Sequence, residues 1–357
     1  MRPVKTPLSV RDDLVEVAPY VSPQRPARYR MNTNETPYAP PAALVDEVAS
    51  ELKDVALNRY PDRDAVRLYG ALSDRASWPV DGLWIANGSN EVFLHLFLGF
   101  GGPGRSVVVF EPTYSLHSLI PRIASTRVIE GARDDDFEVD LDAAVDIVRT
   151  HRPDIVIVCS PNNPTGVCEP ESTVRALLEE APGLVVVDEA YGEFAGDGYS
   201  VRRLLDDHPN LILVKTFSKA WRLAGVRIGY MLAAPGIVAD LARVRLPYHL
   251  SSITQIVGEA ALRHADETLE LVRSVVDERD RVSVELQAMG IKVYPSHANF
   301  ILFEVDDPDR VWDDLLQRDI LVRRYPGIAR LERCLRVTAG LPEETDAFLN
   351  AMREVLA

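Results

Sequence analysis

Short apolar runs alternate with amphipathic stretches between about residues 80 and 230 of the chain. The clearest runs, which are rich in Val, Ile and Leu, cover residues 107–110, 155–158, 184–187 and 211–214. A strand that is covered by helices on both faces is apolar at every position, whereas a half-exposed strand alternates. The pattern therefore predicts βαβ units that build a mostly parallel, buried sheet.

Each of these runs leads, at once or after one residue, into a loop of polar residues. The loops cover residues 111–114, 160–166, 188–191 and 216–219. In open α/β sheets, ligands bind outside the carboxyl ends of the strands. We therefore expect the four loops to meet at one ligand.

The pattern changes after residue 250, where long helical stretches are followed by strand-like runs at 291–294, 300–303, 320–322 and 334–337. A final amphipathic helix is predicted from Glu343. This indicates an α/β chain with a large domain at 41–250 and a smaller α+β domain at 251–357. The proline-rich residues 1–40 are expected to pack on both domains.

Composition excludes several classes of protein. The 357 residues carry a formal net charge of −15, which argues against a nucleic-acid partner. No apolar stretch is long enough to span a bilayer, and the N-terminus lacks the apolar core of a signal peptide. Cys159, Cys168 and Cys334 have neither metal-ligand spacing nor an even count for disulfides. We expect a cytoplasmic protein with no membrane partner and no metal site.

Lys219 is the first candidate for chemistry, because it follows the apolar run 211–214 and lies next to Ser218 and Thr216. An amine at the end of a buried strand can form a Schiff base with an aldehyde cofactor. Arg227, eight residues later, can pair with a phosphate on that cofactor. A lone lysine is more often a solvated surface charge, so this hypothesis depends on the residues around it.

Asp188 ends the apolar run 184–187, where a lone carboxylate is costly unless it is paired. It fits a helix cap or a buried ion pair, and it also fits a partner for a protonated ring nitrogen. Asn163 and Tyr191 can bind a phenolic oxygen on such a ring, and Tyr114 can stack on it. For both tyrosines, ordinary core packing is the alternative.

Ser89 and Asn90 lie at the start of a predicted helix that follows the apolar residues 83–86 after Asn87 and Gly88. The N–H groups at a helix N-terminus bind anions, although a serine there is also a common capping residue. Together with Thr216, Ser218 and Arg227, these residues would form a complete phosphate site.

These loops resemble those of the fold-type I pyridoxal-phosphate aminotransferases, and the likeness covers nearly the whole chain. The matching motifs occur in the same order as in that family, at residues 32–37, 58–62, 160–166, 188–191, 218–220 and 298–300. The resemblance implies a large domain with a mostly parallel sheet flanked by helices, a smaller α+β domain, and pyridoxal 5'-phosphate as cofactor. It implies that Lys219 binds the cofactor covalently and that Asp188 pairs with its ring nitrogen.

The resemblance also implies how the rest of the site is built. Tyr114, Asn163 and Tyr191 would contact the ring, and the five residues of the phosphate site would keep that role. Tyr60, in the motif at 58–62, would reach the cofactor phosphate of a partner subunit, which implies a homodimer with shared active sites.

The resemblance implies a substrate with an anionic end, held by Tyr20, Asn163, Arg323 and Arg336. Two guanidinium groups suit a phosphate dianion better than a single carboxylate requires. The implied reaction converts L-histidinol phosphate and 2-oxoglutarate to imidazole-acetol phosphate and L-glutamate. The sequence leaves open whether Arg323 or Arg324 faces the substrate. It also leaves open an aromatic amino-acid aminotransferase, a decarboxylase of a phosphorylated amino acid, and a non-enzymatic regulator that binds the cofactor.

Overall fold

The computed structural model describes residues 8–15, 17–18 and 25–356. Tyr20, one of the predicted substrate-binding residues, lies outside the described residues. None of the helices in the described ranges combines the length and the apolar character needed to cross a bilayer.

The described residues form strands that we number in chain order. They are β1 (Tyr29–Arg30), β2 (Leu83–Ala86), β3 (Ser106–Glu111), β4 (Arg127–Ala132), β5 (Ile155–Cys159), β6 (Leu184–Asp188), β7 (Leu211–Thr216), β8 (Gly229–Leu232), β9 (Phe300–Glu304), β10 (Ile320–Leu321), β11 (Arg323–Arg324) and β12 (Cys334–Thr338).

The helices are numbered in the same way. They are α1 (Ala42–Glu51), α2 (Val66–Ala76), α3 (Ser89–Phe100), α4 (Leu116–Ile123), α5 (Leu141–His151), α6 (Glu171–Glu180), α7 (Gly192–Ala195), α8 (Pro235–Leu241), α9 (Ser252–Arg263), α10 (Ala265–Leu269), α11 (Val272–Ala288), α12 (Pro308–Gln317) and α13 (Pro342–Leu356).

Seven strands form the central sheet in the order β2-β8-β7-β6-β5-β3-β4. The pairs from β7 to β4 are all parallel, and only β8 runs antiparallel to its two neighbours. This confirms the predicted α/β fold with a mostly parallel sheet. The four strands predicted most clearly are β3, β5, β6 and β7.

Both faces of this sheet are buried, which explains why its strands are apolar throughout. Successive residues of β6 point to opposite faces, so that Val185 and Val187 join one hydrophobic cluster and Val186 joins the other. Each is at most 1% exposed, and full burial of a side chain of this size contributes roughly 1.5–3 kcal/mol. Polar side chains can therefore leave the sheet only at the ends of its strands.

A second sheet, in the order β11-β12-β9, is antiparallel and packs with α11, α12 and α13 around its own hydrophobic cluster. β1 pairs in parallel with β10, and Met31 directly after it joins the same cluster. The N-terminal segment thus contributes a strand beside this second sheet. The predicted domain boundaries at residues 40 and 250 stay a prediction.

Two strand predictions need correction. The strand predicted at 320–322 ends at Leu321 as β10, and the next strand, β11, begins only at Arg323 and pairs with a different strand. The run at 291–294 forms only an isolated bridge between Val293 and Phe303. Pro295 follows directly and has no N–H to donate, so the pairing does not continue.

His95 of α3 is buried beneath the sheet and accepts a hydrogen bond at Nδ1 from Trp84 Nε1 at 3.1 Å. Burial lowers the pKa of His95, Glu91 opposes this, and His249 and Arg245 lower it further. As the pH falls below 6.5, the unfolded chain takes up a proton at this histidine before the folded protein does. The stability that neutral His95 contributes is therefore present above that pH and is lost below it.

We predict that His95→Gln, which keeps an acceptor for Trp84, flattens the fall in the free energy of unfolding between about pH 6.5 and 5. Urea denaturation at several pH values measures this change. His151→Gln, at the exposed end of α5, is the matched control and should keep the wild-type slope. Equal slopes for all three proteins would contradict the prediction.

Candidate active site

A cavity of about 680 Å³ opens at the carboxyl edge of the central sheet. It brings together all of the predicted cofactor and substrate residues that the structure describes, with the exception of Tyr60. These are Ser89, Asn90, Tyr114, Asn163, Asp188, Tyr191, Thr216, Ser218, Lys219, Arg227, Arg323 and Arg336. The four polar loops predicted to converge do so here.

Lys219 lies three residues beyond the end of β7, where the strand leaves the sheet. Its side chain is half-buried in the cavity wall, and Nζ donates a hydrogen bond to the carbonyl of Thr33 at 3.0 Å. Its own carbonyl accepts from Thr36 Oγ1 at 2.6 Å. Both ends of this lysine are thus held by the N-terminal segment.

The surroundings of Lys219 favour the neutral amine. Burial and the positive charges of Arg336 and Arg227 lower its pKa to about 7, with only Glu35 opposing. About half of these amines are therefore unprotonated near neutral pH, and only an unprotonated amine is a nucleophile or a base. The contrast is Lys215, four residues earlier, whose pKa is raised because Glu193 and Glu189 outweigh its burial.

Asp188 is the last residue of β6 and is only 3% exposed. Its Oδ2 lies 2.9 Å from His117 Nε2, and its Oδ1 accepts from the Ala190 N–H at 3.0 Å. Because a carboxylate can only accept, the Nε2 atom of His117 carries the hydrogen. The carboxylate is thus held in one orientation at the cavity wall.

His117 was not predicted from the sequence. It lies on α4, is 1% exposed, and packs its ring 4.8 Å from that of Phe93. No motif marks it, although the need of buried Asp188 for a partner was a signal that one existed.

His117 and Asp188, together with Cys159, have the separation of metal ligands. A ring nitrogen of His117, Cys159 Sγ and a carboxylate oxygen of Asp188 all lie within 4.8 Å of one another. Burial, with the charge of Asp188, raises the pKa of the Cys159 thiol. A thiol that keeps its proton is a poor ligand. The hydrogen bond between His117 and Asp188 accounts for their arrangement.

The predicted ring contacts lie on neighbouring loops. Tyr191 Oη accepts from Asn163 Nδ2 at 3.4 Å, and burial raises the pKa of Tyr191. Tyr114 Oη donates to Asn90 Oδ1 at 3.3 Å, and its ring stands perpendicular to that of His117 at 5.5 Å. An aromatic ligand in the cavity would meet a tyrosine face and an amide together.

At the start of α3, two glycines allow groups of the predicted phosphate site to come close to the backbone. A Cβ on Gly88, which has φ +87°, would lie 2.4 Å from the Arg227 guanidinium. A Cβ on Gly229 would lie 2.1 Å from the Ser89 nitrogen. The guanidinium also donates to Ser218 Oγ at 3.3 Å, so hydroxyl, amide and cationic groups face one small volume.

Arg323 and Arg336 are direct partners across β11 and β12, and both line the cavity. Arg336 donates to the carbonyl of Asn32 at 2.8 Å and to Asn163 Oδ1. Its Nε is buried and has no hydrogen-bond partner among the described residues. Arg324 instead pairs with Asp309 at 2.5 Å outside the cavity, so the structure places Arg323 on the cavity side.

Tyr60 lies on the surface and is 80% exposed, with its ring stacked on Tyr248 at 4.4 Å. Within one chain it is therefore not part of the cavity lining.

The geometry agrees with comparison to known proteins. Residues 29–352 match the sequence model of the family described as aminotransferase class I and II. The chain belongs to this family.

This aminotransferase is 46% identical to the histidinol-phosphate aminotransferase of Mycobacterium avium (strain 104), over 100% of this chain and 91% of the relative. It is 45% identical to the protein of the same name from Mycolicibacterium smegmatis, over 98% of this chain and 93% of the relative. The crystal structure of histidinol-phosphate aminotransferase from Sinorhizobium meliloti in complex with pyridoxal-5'-phosphate matches with a TM-score of 0.89 at 26% identity and covers 98% of each chain.

We predict that the aminotransferase without cofactor reacts with an amine-specific acylating reagent at Lys219 with a half-maximal rate near pH 7. Lys215, four residues earlier on β7, is the internal control and should react only at much higher pH, because its neighbouring carboxylates raise its pKa. Mass spectrometry of the labelled peptides separates the two lysines. Identical pH profiles at both positions would contradict the electrostatic account.

Proposed function

We propose that this chain is a pyridoxal-5'-phosphate-dependent aminotransferase that transfers the amino group of L-histidinol phosphate to 2-oxoglutarate. The products are imidazole-acetol phosphate and L-glutamate, in the biosynthesis of histidine. The observation that carries the substrate assignment is the cross-strand pair of Arg323 and Arg336 in the cavity wall.

The residues present fit the cofactor. The groups around Arg227 and the start of α3 would hold its phosphate, Asp188 would face its ring nitrogen, and Tyr191 with Asn163 would bind its ring oxygen. Glycine at positions 88 and 229 supports this assignment, because a side chain at 88 would collide with the Arg227 guanidinium and one at 229 with the backbone nitrogen of Ser89. When bound, the cofactor supplies an electron-withdrawing ring that accepts the electrons released when a C–H bond of the substrate is broken.

The chain's own residues would carry the proton. Lys219 Nζ, whose pKa is lowered by burial and by Arg336, would take the proton from the amine-bearing carbon of the substrate and later return one. His117 fixes the carboxylate of Asp188 at the cavity wall, where its negative charge would favour a protonated ring nitrogen. The buried apolar strands keep water from reaching the site from the side of the sheet.

Two arginines on directly opposite positions of neighbouring strands carry like charges, and an anion bound between them would offset their repulsion. A phosphate dianion carries enough charge and enough oxygen atoms to accept hydrogen bonds from both guanidinium groups. In the second half-reaction Arg336 would bind a carboxylate of 2-oxoglutarate in the same place. The Nε of Arg336 supports this role, because it is buried among described residues that give it no partner.

Two alternatives follow from the same site. An aromatic amino-acid aminotransferase would need only one arginine for the carboxylate of phenylalanine or tyrosine. A decarboxylase of a phosphorylated amino acid would use both arginines, but it would release carbon dioxide and leave the amino group on the product.

We predict that histidinol phosphate bleaches the visible band of the cofactor-loaded enzyme in a single half-reaction, whereas phenylalanine does so far more slowly.

We predict that Arg323→Ala raises the KM for histidinol phosphate by about 10- to 100-fold, which corresponds to the free energy of a hydrogen bond between charged groups. The KM for glutamate should change less. Arg324→Ala is the matched control, because Arg324 pairs outside the cavity. A faster reaction with phenylalanine, or the release of carbon dioxide, would replace this substrate assignment.

We further propose a homodimer with shared active sites. Five exposed apolar residues form what we call the tyrosine patch: Leu57, Tyr60, Val66, Leu246 and Tyr248. The two segments that contribute them are joined by the stacked tyrosines and by the Arg245–Asp64 ion pair at 3.1 Å. Exposed apolar groups concentrated in this way are typical of a protein–protein interface. The cytoplasmic location expected from the sequence stays a prediction.

We predict that two impaired variants complement each other. Lys219→Ala lacks the amine, and Tyr60→Ala lacks the side chain proposed to reach the partner's phosphate site. Random subunit exchange would give about a quarter of all sites both native residues, because half of the dimers would be mixed and each would contain one native site. The activity of the mixture should therefore exceed the sum of the separate activities.

Sedimentation velocity checks the interface itself. Leu246→Glu in the tyrosine patch should give a monomer, whereas Leu98→Glu, at another exposed apolar position on α3, should not. Failure of the variants to complement, together with an unchanged sedimentation coefficient, would contradict the shared-site dimer.

A further inference from the structure

The segment 32–36 crosses the cavity wall beside Lys219 and Tyr191. Thr33 and Thr36 hold the amine and the carbonyl of Lys219, as described above. Asn34 lies between them and is only 1% exposed. A buried amide side chain needs partners for its oxygen and its nitrogen, and those partners define what it does.

The contacts of Thr338 fix the orientation of the Asn34 amide. Thr338 Oγ1 accepts the Asn34 backbone N–H at 3.1 Å and gives its single proton to Asn34 Oδ1 at 3.2 Å. The Nδ2 end of the amide then faces Tyr191 and donates to Tyr191 Oη at 2.8 Å. Asn34 is thus a donor to the phenol oxygen.

A second amide donates to the same oxygen. Asn163 Nδ2 lies 3.4 Å from Tyr191 Oη, and Arg336 fixes the orientation of Asn163 by donating to its Oδ1. A phenol oxygen has two lone pairs and one proton. With both lone pairs occupied, the proton of Tyr191 must point in a third direction.

We propose that Asn34 is a positioning residue that commits the hydroxyl of Tyr191 to donate its proton to an anionic oxygen of a ring bound in the cavity. This inference rests on the proposed function, because pyridoxal 5'-phosphate is the ligand whose ring would present that oxygen. Burial raises the pKa of Tyr191, so the phenol keeps the proton that it donates at neutral pH. The 2.8 Å contact is shorter than that of Asn163, which makes Asn34 the stronger of the two donors.

A hydrogen bond donated to an anion favours the more negatively charged form of the group. Loss of the Tyr191 donor should therefore raise the pH at which the chromophore of the cofactor-loaded protein loses its proton. That pH is the midpoint of an absorbance titration and does not require turnover.

Asn34→Asp is the variant of choice. Asn34 has φ +56°, a backbone conformation that Asp adopts almost as readily as Asn. The variant keeps an acceptor for Thr338 but replaces the N–H donor with an oxygen, which would draw the proton of Tyr191 to itself. Tyr191→Phe removes the same donor outright.

The experiment is a double-mutant cycle of titration midpoints, measured on the loaded wild type, Asn34→Asp, Tyr191→Phe and the double variant. We expect each single variant to raise the midpoint by about one pH unit, a tenfold change in the equilibrium. The double variant should exceed Tyr191→Phe by less than the full Asn34→Asp shift, because only the charge of the new carboxylate still acts there. An unchanged midpoint in Asn34→Asp would overturn the inference. So would a shift that adds in full to that of Tyr191→Phe, since Asn34 would then act without Tyr191.

If the aspartate variant does not fold, Asn34→Gly replaces it, because glycine adopts a positive φ without strain. A midpoint equal to that of the wild type in this variant would again overturn the inference. Asn210→Ala is the matched control, since this amide donates to the carbonyls of Leu178 and Gly183, outside the cavity lining. Its midpoint should equal that of the wild type, and a shift there would mean that general destabilisation explains the result. A wild type that binds no pyridoxal 5'-phosphate would contradict the proposed function, whereas an unchanged midpoint in a loaded variant contradicts only the role of Asn34.

Discussion

Burial of both faces of the central sheet is the constraint on which the rest of the structure depends. Val185, Val186 and Val187 are all covered by apolar side chains, so β6 has no face on which a polar residue could be placed. Chemistry is confined to the carboxyl edge, where Asp188 and Lys219 follow the last apolar residues of neighbouring strands. A single edge thus collects charges that would be costly anywhere else in the large sheet.

The electrostatics of that edge explain why two lysines only four residues apart behave differently. Lys215 faces Glu189 and Glu193 and remains a cation, whereas Lys219 faces the arginines that the site needs for anions. The arginines therefore do two things at once, since they attract a negatively charged ligand and they release the proton of the amine. When a bound anion neutralises them, the lysine becomes more basic, which suits a group that must first lose a proton and then accept one.

Much of the fold and the site follows from the sequence, because apolar runs and the residues at their ends have local signatures. β5, β6 and β7 and the position of Lys219 are of this kind. β4 was missed because it is an edge strand in which only two consecutive residues, Val128 and Ile129, are large and apolar, and the exposed Arg127 and Glu130 beside them interrupt the run. His117 and the choice between Arg323 and Arg324 depend on contacts between distant segments, and local patterns do not contain that information.

The N-terminal segment connects the strand β10 to the loop that contains Lys219. β1 is hydrogen-bonded to β10 beside the smaller sheet, and only a few residues later Thr36 is bonded to the carbonyl of Lys219. A chain of this length spans at most roughly 20 Å, so that covalent geometry as well as side-chain packing limits the distance between β10 and the reactive lysine. A displacement of β10 beyond that span would have to move Thr36, whose hydrogen bond holds the Lys219 carbonyl, and this couples the position of the amine to the arrangement of the two sheets.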